Sequence, residues 1–167
     1  MFSFIIEGIW FILPAYFASA SAVIFGKFSK IPIDLNKNFI DGRRIFGESK
    51  TISGFFGGIF TGTFVAYIQS IIQNFFDFIF VMDLFYGFLI SFGALFGDLC
   101  NSFLKRRLNK KPGEKFFPWD QLNLLIGALI FASIIKIPSI NAIIFLIFFT
   151  IIMHLFWNYV AFKLKLK

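Results

Sequence analysis

The chain has 167 residues, of which 58% are hydrophobic, 22% aromatic and only 15% charged, with 29 phenylalanines. A single soluble core of this size cannot hide that much apolar surface, so a soluble globular protein is excluded and an integral membrane protein is expected. Sixteen Lys and Arg against nine Asp and Glu leave a net charge of +7, and one cysteine, Cys100, excludes an internal disulfide and a cysteine-only metal site.

Five apolar stretches follow in chain order: Phe2–Phe25, Ile52–Phe76, Leu84–Phe103, Leu122–Ile135 and Ile140–Phe162. The opening stretch, "MFSFIIEGIWFILPAYF", has neither the charged start nor the small-residue cleavage site of a signal peptide and is expected to remain a helix. Pro138 and Ser139 break the last two apart. The fold class is therefore an all-α integral membrane protein, a single domain over residues 1–167 built as a bundle of about five transmembrane helices.

The charges test that count. Fifteen of the sixteen Lys and Arg fall in three segments: 27–50, 105–115 and the tail from Lys163. With five spans those segments share one side, whereas the N-terminus and the loop holding Asp77 and Asp83 share the other. Basic residues are retained in the cytoplasm, which predicts an outer N-terminus, a cytoplasmic C-terminus and two long basic cytoplasmic loops of about 26 and 18 residues. Gly54, Gly58 and Gly62 on the second span, and Gly93 with Gly97 on the third, recur every fourth position and predict close helix packing.

Chemistry concentrates at the cytoplasmic ends. If the third helix continues past Phe103, Asp98, Ser102, Lys105 and Arg106 share one face. An acid there suits a divalent cation, and the hydroxyl and two cations suit phosphate oxygens. The alternative for Asp98 is an ion pair with Arg106 or with a loop cation. Asp120, in "FFPWDQLN", is either the N-cap of the fourth helix or a second metal ligand. "GRRIFGESKTISG" (42–54) almost spells a nucleotide-binding loop but lacks both glycines of a Walker motif. It reads as a flexible segment whose Arg43, Arg44 and Lys50 meet anions near the helix start at Thr51–Ile52, or lie against anionic headgroups. His154 and Asn158, one turn apart on the last span, read as interhelical hydrogen-bonding groups.

These strings resemble the CDP-archaeol synthase family over nearly the whole chain. The resemblance rests on "PAYFASASAV" (14–23), "PIDLNKNFIDGRRIFGESKTISG" (32–54), and "GDLCNSFLKRR" followed by "PWDQLN" (97–123). The last block also looks like the core of the CDP-diacylglycerol synthase signature. However, Lys110-Lys111-Pro112 stands where Lys-Asp is usual, no His-Gly-Gly follows, and Gln121 and Asn123 replace an Arg and a second Asp. Two positions depart from the archaeal pattern, Ser19 in place of Asn and Ser49 in place of Gly.

The resemblance implies Mg²⁺-dependent transfer of CMP from CTP to digeranylgeranylglyceryl phosphate, an isoprenoid ether-lipid phosphate, giving CDP-archaeol and pyrophosphate. It implies that Asp98 and Asp120 hold Mg²⁺. Arg43, Arg44, Lys50 and Thr51 would then meet the triphosphate, while Ser102, Lys105 and Arg106 position phosphates. The expected partners are CTP, the lipid phosphate and the bilayer of the cell membrane, with no nucleic acid. A CDP-diacylglycerol synthase acting on acyl lipids, or a small membrane transporter or scaffold, are the alternatives.

Overall fold

The computed structural model describes residues 3–75, 81–111, 114 and 116–163, with side chains described up to Met153. The described residues form five α-helices, α1 (Ser3–Phe25), α2 (Ile52–Ile72), α3 (Leu84–Arg107), α4 (Trp119–Ala132) and α5 (Ile140–Lys163), with a 3₁₀ turn at Gln73–Phe75 after α2. Among the described residues no strand forms, only two isolated bridges in the first loop. The expected loop residue Asp77, and the side chains of His154 and Asn158, lie outside the described residues.

α1, α2 with its 3₁₀ turn, and α3 are each long and apolar enough to cross a membrane. α3 runs one turn past the expected Phe103, as the shared face of Asp98 and Lys105 requires. Its 24 residues rise roughly 36 Å, about a turn more than a hydrocarbon core of roughly 30 Å. α4 starts three residues before the expected Leu122 and has 14 residues, about 21 Å of rise, which is short of that thickness. These two shifts cut the second basic loop to residues 108–118, well below the expected 18. The basic side chains expected in a loose connector are instead carried on the last turn of α3, as Lys105, Arg106 and Arg107.

Large residues face outward and small ones inward. Phe56, Phe60 and Phe64 are each more than half exposed along one side of α2, while Gly54, Gly58 and Gly62 are buried on the other. Lipid tails are as apolar as any core, so tight backbone approach rather than hydrophobic exclusion joins such helices. The glycines of α2 climb the carbonyls of α1 in antiparallel order. A Cβ at Gly54, Gly58 or Gly62 would lie 2.6, 2.7 or 2.6 Å from the carbonyl oxygens of Ala22, Ala18 and Pro14. α3 and α4 abut in the same way: a Cβ on Gly97 would strike the carbonyl of Asn123, and one on Gly127 the carbonyl of Gly93.

Two sets of connections gather at opposite ends of the bundle. At one end Glu7 accepts from the backbone N–H (2.8 Å) and hydroxyl (2.6 Å) of Ser139, and the Tyr86 hydroxyl donates to the Lys136 carbonyl at 2.6 Å. At the other end the first loop, residues 26–51, lies against the end of α3.

That first loop is folded, contrary to the flexible segment expected. Ile33 N–H donates to the Lys50 carbonyl (2.8 Å) and Ile52 N–H to the Ile31 carbonyl (3.0 Å), tying the loop's entry to its exit. Gly42 and Gly47 turn the chain at positive φ, +75° and +109°, where side chains are disfavoured. The organiser is Asp34, whose side chain is fully buried. Its carboxylate accepts from the Arg44 guanidinium at 2.6 Å and from the N–H groups of Asn36, Phe46 and Gly47 at 3.0–3.1 Å. Burial pushes the Asp34 carboxyl up, but the guanidinium and then the Gly47, Phe46 and Asn36 N–H groups outweigh it and hold it at about 2.

Candidate active site

A cavity of about 850 Å³ opens between the folded loop and the last two turns of α3. It collects Arg43, Arg44, Lys50, Asp98, Ser102, Lys105, Arg106 and Asp120, eight of the nine residues singled out in the sequence. Lys110 and Lys111 add two more cations, so seven basic groups face three carboxylates, Glu48 completing the acids. The balance favours a polyanion.

The two aspartates are bound into a crossed pattern between α3 and α4. Asp98 on α3 is hydrogen-bonded and ion-paired to Lys50 and accepts from the Asn123 amide of α4 at 3.3 Å. Asp120 on α4 accepts from Lys105 of α3 at 3.0 Å on each oxygen, and from the Asn101 amide of α3 at 2.7 Å. Each carboxylate thus carries one lysine and one asparagine. The loop cation proposed as a partner for Asp98 is Lys50. Asp120 is not the N-cap of α4; Pro118 holds that position, and Asp120, in the first turn, reaches back to the Phe116 N–H at 2.8 Å. Asn101 carries no local signal that sets it apart, and Asn123 is marked only as standing where the related signature has a second Asp; the α3–α4 contact reveals what both bind.

Besides Lys50 and Lys105, four expected phosphate ligands have structural partners. Thr51 is buried as the N-cap of α2, its hydroxyl oxygen accepting from the Gly54 N–H at 3.2 Å. It lines a separate pocket of about 90 Å³ behind Lys50 and Asp98, so it shapes the helix start rather than the large cavity. Arg44 is paired to Asp34 (2.6 Å) and Glu48 (3.3 Å), and Arg43 donates to the Arg107 carbonyl at 2.6 Å. Both arginines still line the cavity, Arg43 with its side chain 41% exposed. Ser102 donates to the Asp98 carbonyl at 2.9 Å, leaving its oxygen as an acceptor.

The donor set matches a hard divalent cation. Asp98 and Asp120 supply carboxylate oxygens, and the Asn101 carbonyl oxygen, turned away from Asp120 by the amide's own hydrogen bond, is buried without a hydrogen-bond partner. Among the described residues no group of three or more His, Cys, Asp and Glu forms a complete metal cage. Two carboxylates and an amide oxygen are a donor set that would suit Mg²⁺, whose remaining ligands are ordinarily water and substrate phosphate.

A second cavity, about 670 Å³ and predominantly apolar, runs between α1, α4 and α5. Ile9, Leu13, Leu124 and Phe149 line it, and Asp98 and Asp120 line it as well. The two carboxylates therefore form a wall common to a cationic cavity and a greasy one.

Comparison with known proteins identifies the family. The family model described as CarS-like, CDP-archaeol synthase, matches residues 1–167. The chain is 44% identical to the CDP-archaeol synthase of Pyrococcus furiosus over 163 residues, covering 98% of this chain and 96% of that one. It is also 44% identical to the enzyme of that name from Methanocaldococcus jannaschii over 168 residues, covering 95% and 93%. A solved structure of an intramembrane enzyme for archaeal membrane lipids biosynthesis superposes with a TM-score of 0.81 at 29% identity, over 93% of this chain and 94% of that one. A family model that spans the whole chain and relatives 44% identical over nearly all of it show that the chain belongs to the CDP-archaeol synthases, cytidylyltransferases of archaeal membrane lipid synthesis.

Proposed function

We propose that the protein transfers CMP from CTP to digeranylgeranylglyceryl phosphate, with the nucleotide in the cationic cavity and the isoprenoid chains in the apolar one. The observation that carries this reading is the wall of Asp98 and Asp120 shared by the two cavities. A lipid phosphate oxygen attacks the α-phosphorus of CTP; the new P–O bond forms as the α–β bridge breaks, and pyrophosphate leaves. A phosphate monoester carries between about 1.5 and 2 negative charges near neutral pH, so the nucleophile needs no protein base. Asp98 and Asp120, with the Asn101 carbonyl, would hold Mg²⁺, which when bound would supply charge neutralisation at the reacting phosphates.

The chain's own groups do the rest. Lys50 and Lys105 stand beside the two carboxylates, and Arg106 stands further along the cavity, so fixed positive charge surrounds the place where two anions must meet. Arg43 and Arg44 form the loop wall, and Ser102 faces the same space from α3. Leu13, Leu124 and Phe149 exclude water from the lipid side.

The same reading sets the orientation. The basic first loop and the end of α3 lie at one end of the bundle, and retention of Lys and Arg in the cytoplasm puts that end, with the site, at the inner face of the cell membrane. The test is purified protein in detergent with CTP labelled at the α-phosphate, Mg²⁺, and either the isoprenoid ether-lipid phosphate or an acyl phosphatidic acid. Lipid-linked CMP with the ether lipid is expected. No labelled lipid with either substrate would refute the reading, and preference for the acyl lipid would replace the substrate.

A further inference from the structure

The last turn of α3 is gripped by the first loop through an arginine that stays out of the cavity. Arg106 lines the 850 Å³ space; its neighbour Arg107 does not. The Arg107 Nε lies 3.0 Å from an Asp41 carboxylate oxygen, and its Nη2 donates to the Arg44 carbonyl at 2.6 Å. Its guanidinium carbon lies 4.9 Å from the Phe39 ring centre and 4.7 Å from that of Phe103. Those two rings meet edge to face with centroids 5.2 Å apart, one from the loop and one from the helix. The side chain is only 18% exposed.

The grip is reciprocal. Arg43 of the loop donates through Nη1 to the Arg107 carbonyl at 2.6 Å. The final carbonyls of a helix lack partners within it and carry the negative end of its dipole, so a guanidinium is well placed there. One arginine from each element therefore donates to the backbone of the other. The planar fork of arginine can serve an acid, a carbonyl and two aromatic faces together, whereas the ammonium of lysine cannot.

This clasp stands at the rim of the cavity. Downstream of it, Phe46–Lys50 form the loop wall; upstream of Arg107, Asp98, Ser102, Lys105 and Arg106 form the helix wall. We propose that Arg107, with Asp41 as its counter-ion, is a positioning residue that fixes the separation of these two walls and thereby the affinity for the nucleoside triphosphate. The inference rests on the assignment of the cationic cavity to CTP. Apart from the shared Asp98 and Asp120, the apolar groove is lined from α1, α4 and α5, away from the clasp, so the clasp should bear on CTP affinity more than on lipid affinity.

The test combines steady-state kinetics with limited trypsin digestion of the first loop, using the full chain in detergent. Arg107→Ala removes charge-assisted hydrogen bonds, and the KM for CTP is expected to rise between about tenfold and a hundredfold. The value of kcat at saturating CTP, and the KM for the lipid phosphate, should stay within about threefold of wild type. Arg107→Lys should recover only a minor part of the loss, because it restores charge without the fork, and Asp41→Asn should give an intermediate rise in CTP KM. Cleavage between residues 37 and 50 should speed up about tenfold in Arg107→Ala, as expected for a loop freed from contacts worth about 1.4 kcal/mol.

Wild-type CTP KM in both Arg107→Ala and Asp41→Asn, or a fall in kcat with KM unchanged, would overturn the proposal. If Arg107→Ala fails to fold, Arg107→Lys and Asp41→Asn decide it by the same readings. A wild-type protein that makes no product would refute the assignment of the substrate instead. In that event, loop cleavage unchanged by the substitutions would separately refute the clasp.

Discussion

Lys105 of α3 donates to both carboxylate oxygens of Asp120 on α4, at 3.0 Å each. The lysine side chain is 13% exposed and the aspartate 21%, so the pair is screened only in part from water. It joins the helix carrying the first aspartate to the helix carrying the second. In the proposed reaction a lysine in this place would have two functions, to orient Asp120 and to face the reacting phosphates with its charge. Lys105→Gln keeps much of the length and loses the charge. Turnover should fall by about 10²- to 10³-fold, the scale on which one fixed electrostatic group contributes to a transition state. A rate within fivefold of wild type, measured with labelled CTP at saturating substrates, would show that the lysine is only a strut.

Asp98→Asn and Asp120→Asn are expected to remove turnover by more than about a hundredfold, exceeding the 10–100-fold typical of groups that merely support a metal ligand. Both proteins should still elute as single folded species, because the glycine contacts that join α3 to α4 do not involve these carboxylates. Near-normal turnover in either variant would remove that residue from the metal centre.

Asn101→Ala tests the supporting shell. It deletes the 2.7 Å hydrogen bond to Asp120 and the unpartnered carbonyl oxygen together. The Mg²⁺ concentration for half-maximal rate should rise about 10- to 100-fold. Magnesium titrations that superpose on wild type would contradict the role.

The Asp34 hub makes stability fall in acid. Its carboxyl titrates at about 2 in the folded chain, against roughly 3.9 in an unfolded one. A group depressed by folding contributes its full share above the unfolded value and loses it as pH drops toward the folded one. The loss, about 2 kcal/mol, should therefore develop between about pH 4 and pH 2. Thermal unfolding across that range, wild type against Asp34→Asn, isolates this share; a difference between the two proteins that stays constant with pH would contradict it.

Gly127→Ala places a methyl group against the Gly93 carbonyl, which has no flexible end to yield. Separation of α3 from α4 should cost about 1–3 kcal/mol, as other overpacked contacts do. The same displacement would pull Asn123 from Asp98, so activity should drop together with the melting temperature. Full activity with a wild-type melt would mean that the seam is looser than it looks.

Much of this was legible in the sequence because it depended on short spacings. Asp98, Ser102 and Lys105 lie at helical intervals, and that alone required α3 to run past the hydrophobic stretch, as it does. The glycine stripes likewise announced close packing. Pairings between distant positions were not legible. Arg43 and Arg44 look like phosphate ligands in their local string, yet one caps a helix more than sixty residues away and the other is bound to Asp34. Nothing near Asn101 marks it, and Asn123 stands out only as a replaced Asp, since the pairing of both with the carboxylates comes from the register in which α3 meets α4. The family resemblance implies Thr51 as a triphosphate ligand, but a threonine ahead of an apolar helix satisfies backbone donors first.

The seam between α3 and α4 is drawn at backbone distance, while α5 meets α1 through the Tyr16–Thr150 and Glu7–Ser139 contacts and a modest apolar patch. The carboxylates therefore sit on a joint of backbone against backbone, whereas the apolar cavity is bounded on one side by a helix held, among the described residues, mainly through side chains.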